Sequence, residues 1–521
     1  MRSARLLTDA AQTMRTQLAW SIAAVICAAY LAVIAPLSLT SLQDYPNHLA
    51  RALVMSDLLW HHGSRFGSSF ELHWLAVPYL LPDLLLAALV TLCGAALAAS
   101  LYTALVLLSL PCALLVYTHA TDAPSPALRP WVFLIGLYLS TDWFFVMGFL
   151  AFHLALALII VGLALAERLR QRWSPTTFAG YLLIASLGYF THLAVPAFLA
   201  AALGASACVR LCMKSTSLAR EAALWVPPVA LFLCAWQLGV TGSTMSHIVP
   251  VAVSWPSLLR EKILNLDHEF VGFDWRAVEP LMVLFALALL WPIHRALAVP
   301  ALKKPRVLEC LLVAAMFLVV YFVLPVRTAD ETYVDIRVLP LVSLFGLFAA
   351  VRIPAERVSA IALAALLAVA NLAYVGIHMR MDSAWVARYR AVVAEAPSDA
   401  SVLPVHGQPT QQRVLHVGSF LLLDRGVPTP YLFSADDRDP MAYFRYRRRP
   451  YTPSQQWYRE SLLSHTAAAV DWTRVACEYD YVLITMPFEA HLIPVARTRV
   501  AGNAAAALFA LDKRACRRAP S

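Results

Sequence analysis

The chain has 521 residues, of which 60% are hydrophobic and 14% charged, with a formal net charge of +9. That balance excludes a soluble globular protein and marks a multi-pass membrane protein. The positive charge is assigned to Lys and Arg in cytoplasmic loops, and nucleic acid is not an expected partner. Most cysteines (Cys27, Cys93, Cys112, Cys208, Cys212, Cys234, Cys310) sit in or beside apolar segments without metal-site spacing, and read as small core residues. Cys477 and Cys516 lie in the polar C-terminal region and can pair if it faces an oxidising compartment.

In chain order, Arg2, Arg5 and Arg15 place the N-terminus in the cytoplasm, and Gln17 to Leu39 is the first span, retained rather than cleaved as a signal peptide. Thr40 to Glu71 is then outside. Within it, Pro46 suits the first turn of a helix that lies in the membrane interface, with Leu49, Leu53 and Trp60 opposite His48, Arg51 and Met55. Leu72 to Leu92 carries Pro78, Pro82 and Asp83 and reads as juxtamembrane or re-entrant, because counting it as a span puts the later basic loops on the wrong side. Spans follow at Ala95–Tyr117, Pro130–Ser140, Trp143–Leu165, Thr176–Thr191, Leu193–Val209, Ala222–Val240, Pro280–Ile293, Val307–Leu324, Leu339–Val351 and Val358–Ile377. With the first, this makes eleven. The run Glu167 to Arg172 and Arg210, Lys214, Arg220, Arg306, Arg352 and Arg357 fall on the inner side.

From residue 378 to 521 the character changes to an extracytoplasmic α/β domain. Strands are expected at Ser401–Val405, Val414–Leu423, Tyr481–Thr485 and Ala505–Leu511, with a helix at Asp382–Ala396. The fold class is therefore mainly α: a polytopic bundle over residues 17–377, after a short cytoplasmic N-terminus, with this domain appended. No internal repeat of fixed period is found, which argues against an inverted-repeat transporter.

The polar residues that could carry chemistry gather on the outer face. Gln43-Asp44-Tyr45-Pro46-Asn47-His48-Leu49-Ala50-Arg51 brings a carboxylate, an imidazole and a guanidinium to the membrane boundary directly after the first span. Pro46 favours extended geometry before it and so a defined turn for Asp44, which can act as general base or simply cap the next helix. Asp142, on a turn between spans, either orients substrate or is an exposed turn carboxylate. His192 is near the outer surface and is preferred over the deeper His153. Arg337 can clamp a phosphate or pair with neighbouring acids such as Asp335. Arg445 to Arg449 is a solvated basic loop or a contact for anionic lipid. Asp267-His268-Glu269 offers metal ligands, but three adjacent residues rarely converge on one ion, and no metal is assigned.

The order of these features resembles the GT-C superfamily of membrane glycosyltransferases, the class of protein O-mannosyltransferases and aminoarabinose transferases. The resemblance lies in a first span, an outer loop with Asp44 and an interfacial helix, the proline-containing stretch Leu72 to Leu92, a second outer acid at Asp142, many short spans and an outer tail. It implies transfer of a sugar from a polyprenyl-phosphate donor to a lipid, glycan or protein acceptor. Asp44 matches the first-loop catalytic acid and Asp142 the second, Arg337 is similar in position to residues that hold donor phosphate, and His48, Arg51 and His192 are further substrate-binding candidates. The chain has Asp44-Tyr45-Pro46-Asn47-His48 in place of a paired-acid motif, so no cofactor is assigned and a divalent cation stays open. A bacterial inner (plasma) membrane is the expected location. The rival readings are a transporter or flippase of lipid-linked sugars, and a noncatalytic membrane scaffold.

Overall fold

The structure is a computed structural model that describes residues 2–61, 65–121, 128–238, 255–264, 266, 304–324, 335–352, 357–407, 415–432, 444–448, 450–453, 461–463, 470–488 and 490–517. Helix α1 (Arg2–Ser41) holds the first crossing, and α2 (Tyr45–Trp60) follows after a three-residue turn, with Pro46 in its first turn, where a missing N–H costs nothing. Strand β1 (Phe70–Leu72) precedes α3 (Leu80–Cys93), whose start is delayed past Pro78 by a left-handed Tyr79 and whose end is set by Gly94. At 1.5 Å per residue α3 is about 21 Å long, too short to cross a 30 Å core upright.

The bundle continues with α4 (Ala95–Ala120), α5 (Arg129–Leu139), α6 (Trp143–Val146), α7 (Leu150–Gln171), α8 (Pro175–Thr191), α9 (Ala194–Cys212) and α10 (Leu218–Gln237). Next come α11 (Trp255–Leu264), α12 (Pro305–Val323), α13 (Leu339–Ala350) and α14 (Arg357–Val393). Among the described residues, seven helices are long and apolar enough to cross a membrane: α1, α4, α7, α9, α10, α12 and α14. The polytopic bundle is as expected, but these residues do not carry eleven full spans. Helices α5 and α13 are short apolar helices, and the Pro280–Ile293 span lies outside the described residues, as do Asp267, His268 and Glu269.

Two further expectations are corrected. Trp143–Leu165 is not one helix: Gly148, at φ +85°, reverses the chain between α6 and α7, a conformation that a residue with a Cβ rarely adopts. Helix α2 is not half wet. Leu49 and Met55, expected on opposite faces, are both buried, because the bundle covers one side and the C-terminal region the other.

Helix α1 packs on α4 and α14, α4 on α7, α9 on α10, and α12 on α13. The ends of α7, α9, α10 and α12 around Glu167 are tied by buried charges, which persist in such a place only when paired. Arg170 reaches Glu221 at 2.6 Å and Glu167 at 2.8 Å, Arg210 reaches Glu309 at 2.7 Å, and Arg210 and Arg306 both contact Glu167. The charged run after α7 is thus partly an internal clamp across four helices.

Helix α14 runs unbroken through the expected domain boundary at residue 378 and carries Val386, Tyr389 and Val393 against the C-terminal sheet. That sheet holds β2 (Val402–His406), β4 (Ser461–Leu462), β5 (Tyr481–Thr485), β6 (Ala496–Gly502) and β7 (Ala506–Leu511) in the order β4-β2-β5-β7-β6. Strand β2 is parallel to both neighbours, and β7 is antiparallel to both of its own. Of the strand expected at Val414–Leu423, the described residues 415–423 form short helical turns, Val417–Ser419 and the start of Leu421–Arg425, since they pack on α2 instead of on a neighbouring strand. Strand β3 (Phe444–Tyr446) pairs antiparallel with β1, so the basic run begins as part of a two-stranded clasp between the first loop and the tail. Arg447 donates to Gly67 O at 2.7 Å.

Cys477 and Cys516 are bonded, tying α15 (Trp472–Glu478) to α16 (Arg514–Arg517). Full-length protein extracted without reductant is therefore expected to take up no thiol label at these two positions until reduced; labelling of both before reduction would reject the bond.

Candidate functional site

The site is built around the backward turn at Gly148. Gln43 N donates to Val146 O and Asp44 N to Met147 O, each at 3.1 Å, so the chain after the first span is stitched to the α6–α7 turn. A Cβ on Gly148 would stand 2.9 Å from Asp44 N and Tyr45 N, closer than real contacts allow. The Asp44 backbone is helical (φ −90°, ψ −13°) and α2 is already helical at Tyr45, rather than extended as Pro46 suggested, because the stitch to the turn overrides the local preference.

The Asp44 side chain does not cap α2; its carbonyl, not its carboxylate, accepts from Asn47 N and His48 N. With only 8% of the residue exposed, its carboxylate lies 3.4 Å from His416 Nε2 and 3.4 Å from Gln43 Nε2. Asp142 contrasts with it. Its Oδ1 caps α6 by accepting from Phe145 N at 2.9 Å and also meets His153 Nε2 at 2.8 Å. At 4% exposure it is no solvated turn carboxylate, and Oδ2 carries no hydrogen bond among the described residues. The turn is anchored below by Asn371 of α14, which donates to Thr141 Oγ1 at 2.6 Å.

His192 sits at the end of α8. Its Nδ1 accepts from Ala194 N at 3.0 Å, so Nε2 carries the proton and donates to Tyr79 Oη at 3.1 Å. Burial first, and then the nearby Arg337, hold its pKa well below the ordinary imidazole value, so it is neutral at pH 7. The Arg337 guanidinium lies 5.5 Å from the centre of the Phe149 ring, next to Gly148. Asp335, one of the neighbouring acids offered as an alternative partner for Arg337, is held by Lys262 of α11 at 2.9 Å, with both side chains fully buried. Lys262 also donates to Tyr321 O and Leu324 O, fastening the C-terminal end of α12.

Asp44, Asp142, His192 and Arg337 thus all meet the turn of residues 142–153: through its backbone, as its first residue, through Phe152, whose ring centre is 5.5 Å from that of His192, and through Phe149. His48 and Arg51 form a second group. Arg51 pairs with Asp83 of α3 and lies 5.9 Å from the Phe444 ring centre. Burial pushes the His48 imidazole down to about 4, with Asp83 opposing and Arg51 assisting, which leaves it neutral at pH 7. Sequence reasoning missed Asn47 and His416 as partners of Asp44, and Asp83 as the partner of Arg51. Asn47 and Asp83 stand within segments that drew notice, whereas nothing local marks His416. Among the described residues, no group of three or more His, Cys, Asp and Glu is arranged to hold a metal ion.

No family model matches the chain, and no curated protein matches it by sequence. Solved structures do match. The crystal structure of ArnT from Cupriavidus metallidurans bound to undecaprenyl phosphate is 12% identical, covers 95% of this chain and 98% of its own, and superposes with a TM-score of 0.53. The apo state of the same protein is 11% identical, covers 97% and 99%, and gives 0.52. The resemblance to GT-C membrane proteins expected from the order of features therefore holds at the level of fold, over nearly the whole chain.

The Gly148 contact is directly testable. Gly148→Ala is expected to cost about 1–3 kcal/mol, from the positive φ and the overlap with Asp44, and to lower the melting temperature of the detergent-solubilised protein. Melting indistinguishable from wild type would show that the turn gives way easily.

Proposed function

We propose that this protein is a GT-C-type membrane glycosyltransferase that moves a sugar from a polyprenyl-phosphate donor to a hydroxyl of a lipid, glycan or protein acceptor at the outer face, with Asp44 as general base. The observation that carries this reading is the placement of Asp44: a largely buried carboxylate at a helix start that does not cap its own helix and faces His416 Nε2 at 3.4 Å, in a chain where burying charge is costly. The fold of ArnT, a protein crystallised with undecaprenyl phosphate, supports a lipid-phosphate donor.

In the proposed reaction Asp44 takes the acceptor hydroxyl proton as that oxygen attacks the anomeric carbon of the sugar. The bond from that carbon to the phosphate oxygen breaks, and the polyprenyl phosphate leaves with the electron pair. The configuration at the sugar inverts. Arg337 supplies positive charge to the departing phosphate, and its contact with Phe149 keeps it beside the turn that carries Asp44. The neutral His192 and His48 add no second cation to compete with it. Asp142 shapes the turn through its cap and offers Oδ2 to substrate. Asp44, Gln43, Asn47 and His416 provide a single carboxylate, a poor set for a hard divalent cation, and no step is routed through a metal. The Cys477–Cys516 bond supports an oxidising compartment for the tail.

Membranes carrying the wild type and Asp44→Asn, supplied with a panel of radiolabelled undecaprenyl-phosphate-linked hexoses and pentoses, test this reading. Asp44→Asn is expected to lose about 10²–10⁴-fold in transfer at unchanged expression and donor binding, and Arg337→Ala is expected to raise the donor KM. Undiminished transfer by Asp44→Asn would rule out its role as base. Facilitated movement of the intact donor across the bilayer without transfer would favour a flippase.

A further inference from the structure

The partner of Asp44 comes from the far end of the chain. His416 lies directly before the Val417–Ser419 turn and is 2% exposed, with Nε2 3.4 Å from Asp44 Oδ1. Its other ring nitrogen, Nδ1, is 3.4 Å from Asn47 Nδ2. Which of these is protonated follows from Asn47. That amide donates to Tyr431 O at 2.9 Å, which identifies the atom as nitrogen, and its second N–H then faces His416 Nδ1 as donor. Nδ1 is therefore an acceptor, and the ring proton sits on Nε2, toward the carboxylate. Tyr431 O, Asn47, His416 and Asp44 thus follow one another in contact, with the His416–Asp44 step at 3.4 Å and Asn47 itself 1% exposed.

The backbone that carries His416 is pinned to the C-terminal sheet. His406 of β2 donates from Nε2 to Leu415 O at 2.9 Å, and its Nδ1 is 3.3 Å from Thr485 Oγ1 of β5. Ser419 N donates to His416 O at 3.1 Å. The turns that follow pack on α2, the helix that Asp44 opens. The position of the imidazole is thus set by the tail and transmitted to the carboxylate at the start of α2.

We propose that His416 is a positioning residue: by donating from Nε2 to Asp44 Oδ1 it fixes the rotation of the carboxylate, and so makes the C-terminal domain an integral part of the transfer centre. This rests on the reading of Asp44 as base. A carboxylate held through one oxygen presents the other in one orientation. Released, it rotates, and misplacement of a catalytic group by about 1 Å costs on the order of 10²-fold in rate.

Two near-isosteric variants separate positioning from packing. In full-length protein in membranes, His416→Gln keeps an N–H at the place of Nε2, whereas His416→Asn keeps one only at the place of Nδ1. With the undecaprenyl-phosphate-linked sugar that the wild type turns over, His416→Gln is expected within about 3-fold of wild type, and His416→Asn about 10–100-fold lower in kcat with donor KM unchanged. Combined with Asp44→Asn, His416→Asn is expected to cause no further loss, because the group it positions is gone. Equal activities of the Gln and Asn variants, or a full additional loss in the Asp44→Asn background, would overturn the proposal while leaving Asp44 as base intact. Full transfer by Asp44→Asn alone would remove the base reading itself.

Discussion

The half of the molecule that carries the candidate site depends on the stitch between Gln43–Asp44 and the α6–α7 turn. Two backbone hydrogen bonds hold the chain leaving the first span against the chain reversing at Gly148. The arrangement works only because Gly148 has no Cβ: the space a side chain would fill is occupied by the Asp44 and Tyr45 amides. From that contact Asp44 gains a fixed backbone, α2 gains its direction, and Phe149 and Phe152 are set beside Arg337 and His192. Asn371 supports the same turn from α14, so three segments far apart in sequence agree on one geometry.

The bundle was readable because its cause is local. Long apolar runs bounded by basic residues leave few options in a membrane, and α1, α4, α7, α9, α10, α12 and α14 all correspond to predicted segments. Pro46 in the first turn of α2, and strands β2, β5 and β7, follow in the same way from proline placement and short apolar runs. What failed had tertiary causes. The break at Met147–Phe149 lies in an apolar run whose only mark is one glycine, and Val414–Leu423 has the composition of a strand but finds α2 as its neighbour. Asp44 and Arg337 stood out because charge beside an apolar segment is costly wherever it falls. His416 did not, because an isolated histidine in a polar tail carries no such cost in sequence and acquires its surroundings only when the tail folds onto α2.

The two sides of the bundle use charge differently. At one end Glu167, Glu221 and Glu309 are each bound by arginines, with Arg170 and Glu221 in bidentate contact, so the charges are consumed in holding α7, α9, α10 and α12 together. Such a network is costly to break and leaves no group in reserve. At the other end, Arg51–Asp83 and Lys262–Asp335 are tied up in the same manner. Asp44 is placed otherwise. His416 Nε2 and Gln43 Nε2 each stand 3.4 Å from its carboxylate, longer than the 2.6–2.8 Å of the Arg170 pairs.

Asp142 and Asp44 look alike in sequence, each an acid on an outer turn, and the fold gives them different work through backbone context. Asp142 is extended (ψ −172°) at the start of α6, the conformation in which a side chain reaches back to cap, and it does so. Asp44 is helical at the corresponding position of α2, a conformation that turns the carboxylate away from the first-turn amides. The stitch to Val146 and Met147 enforces that conformation, and Pro46 removes one of the N–H groups that capping would serve. The same contact that fixes where Asp44 sits therefore withholds its carboxylate from the helix and turns it toward His416.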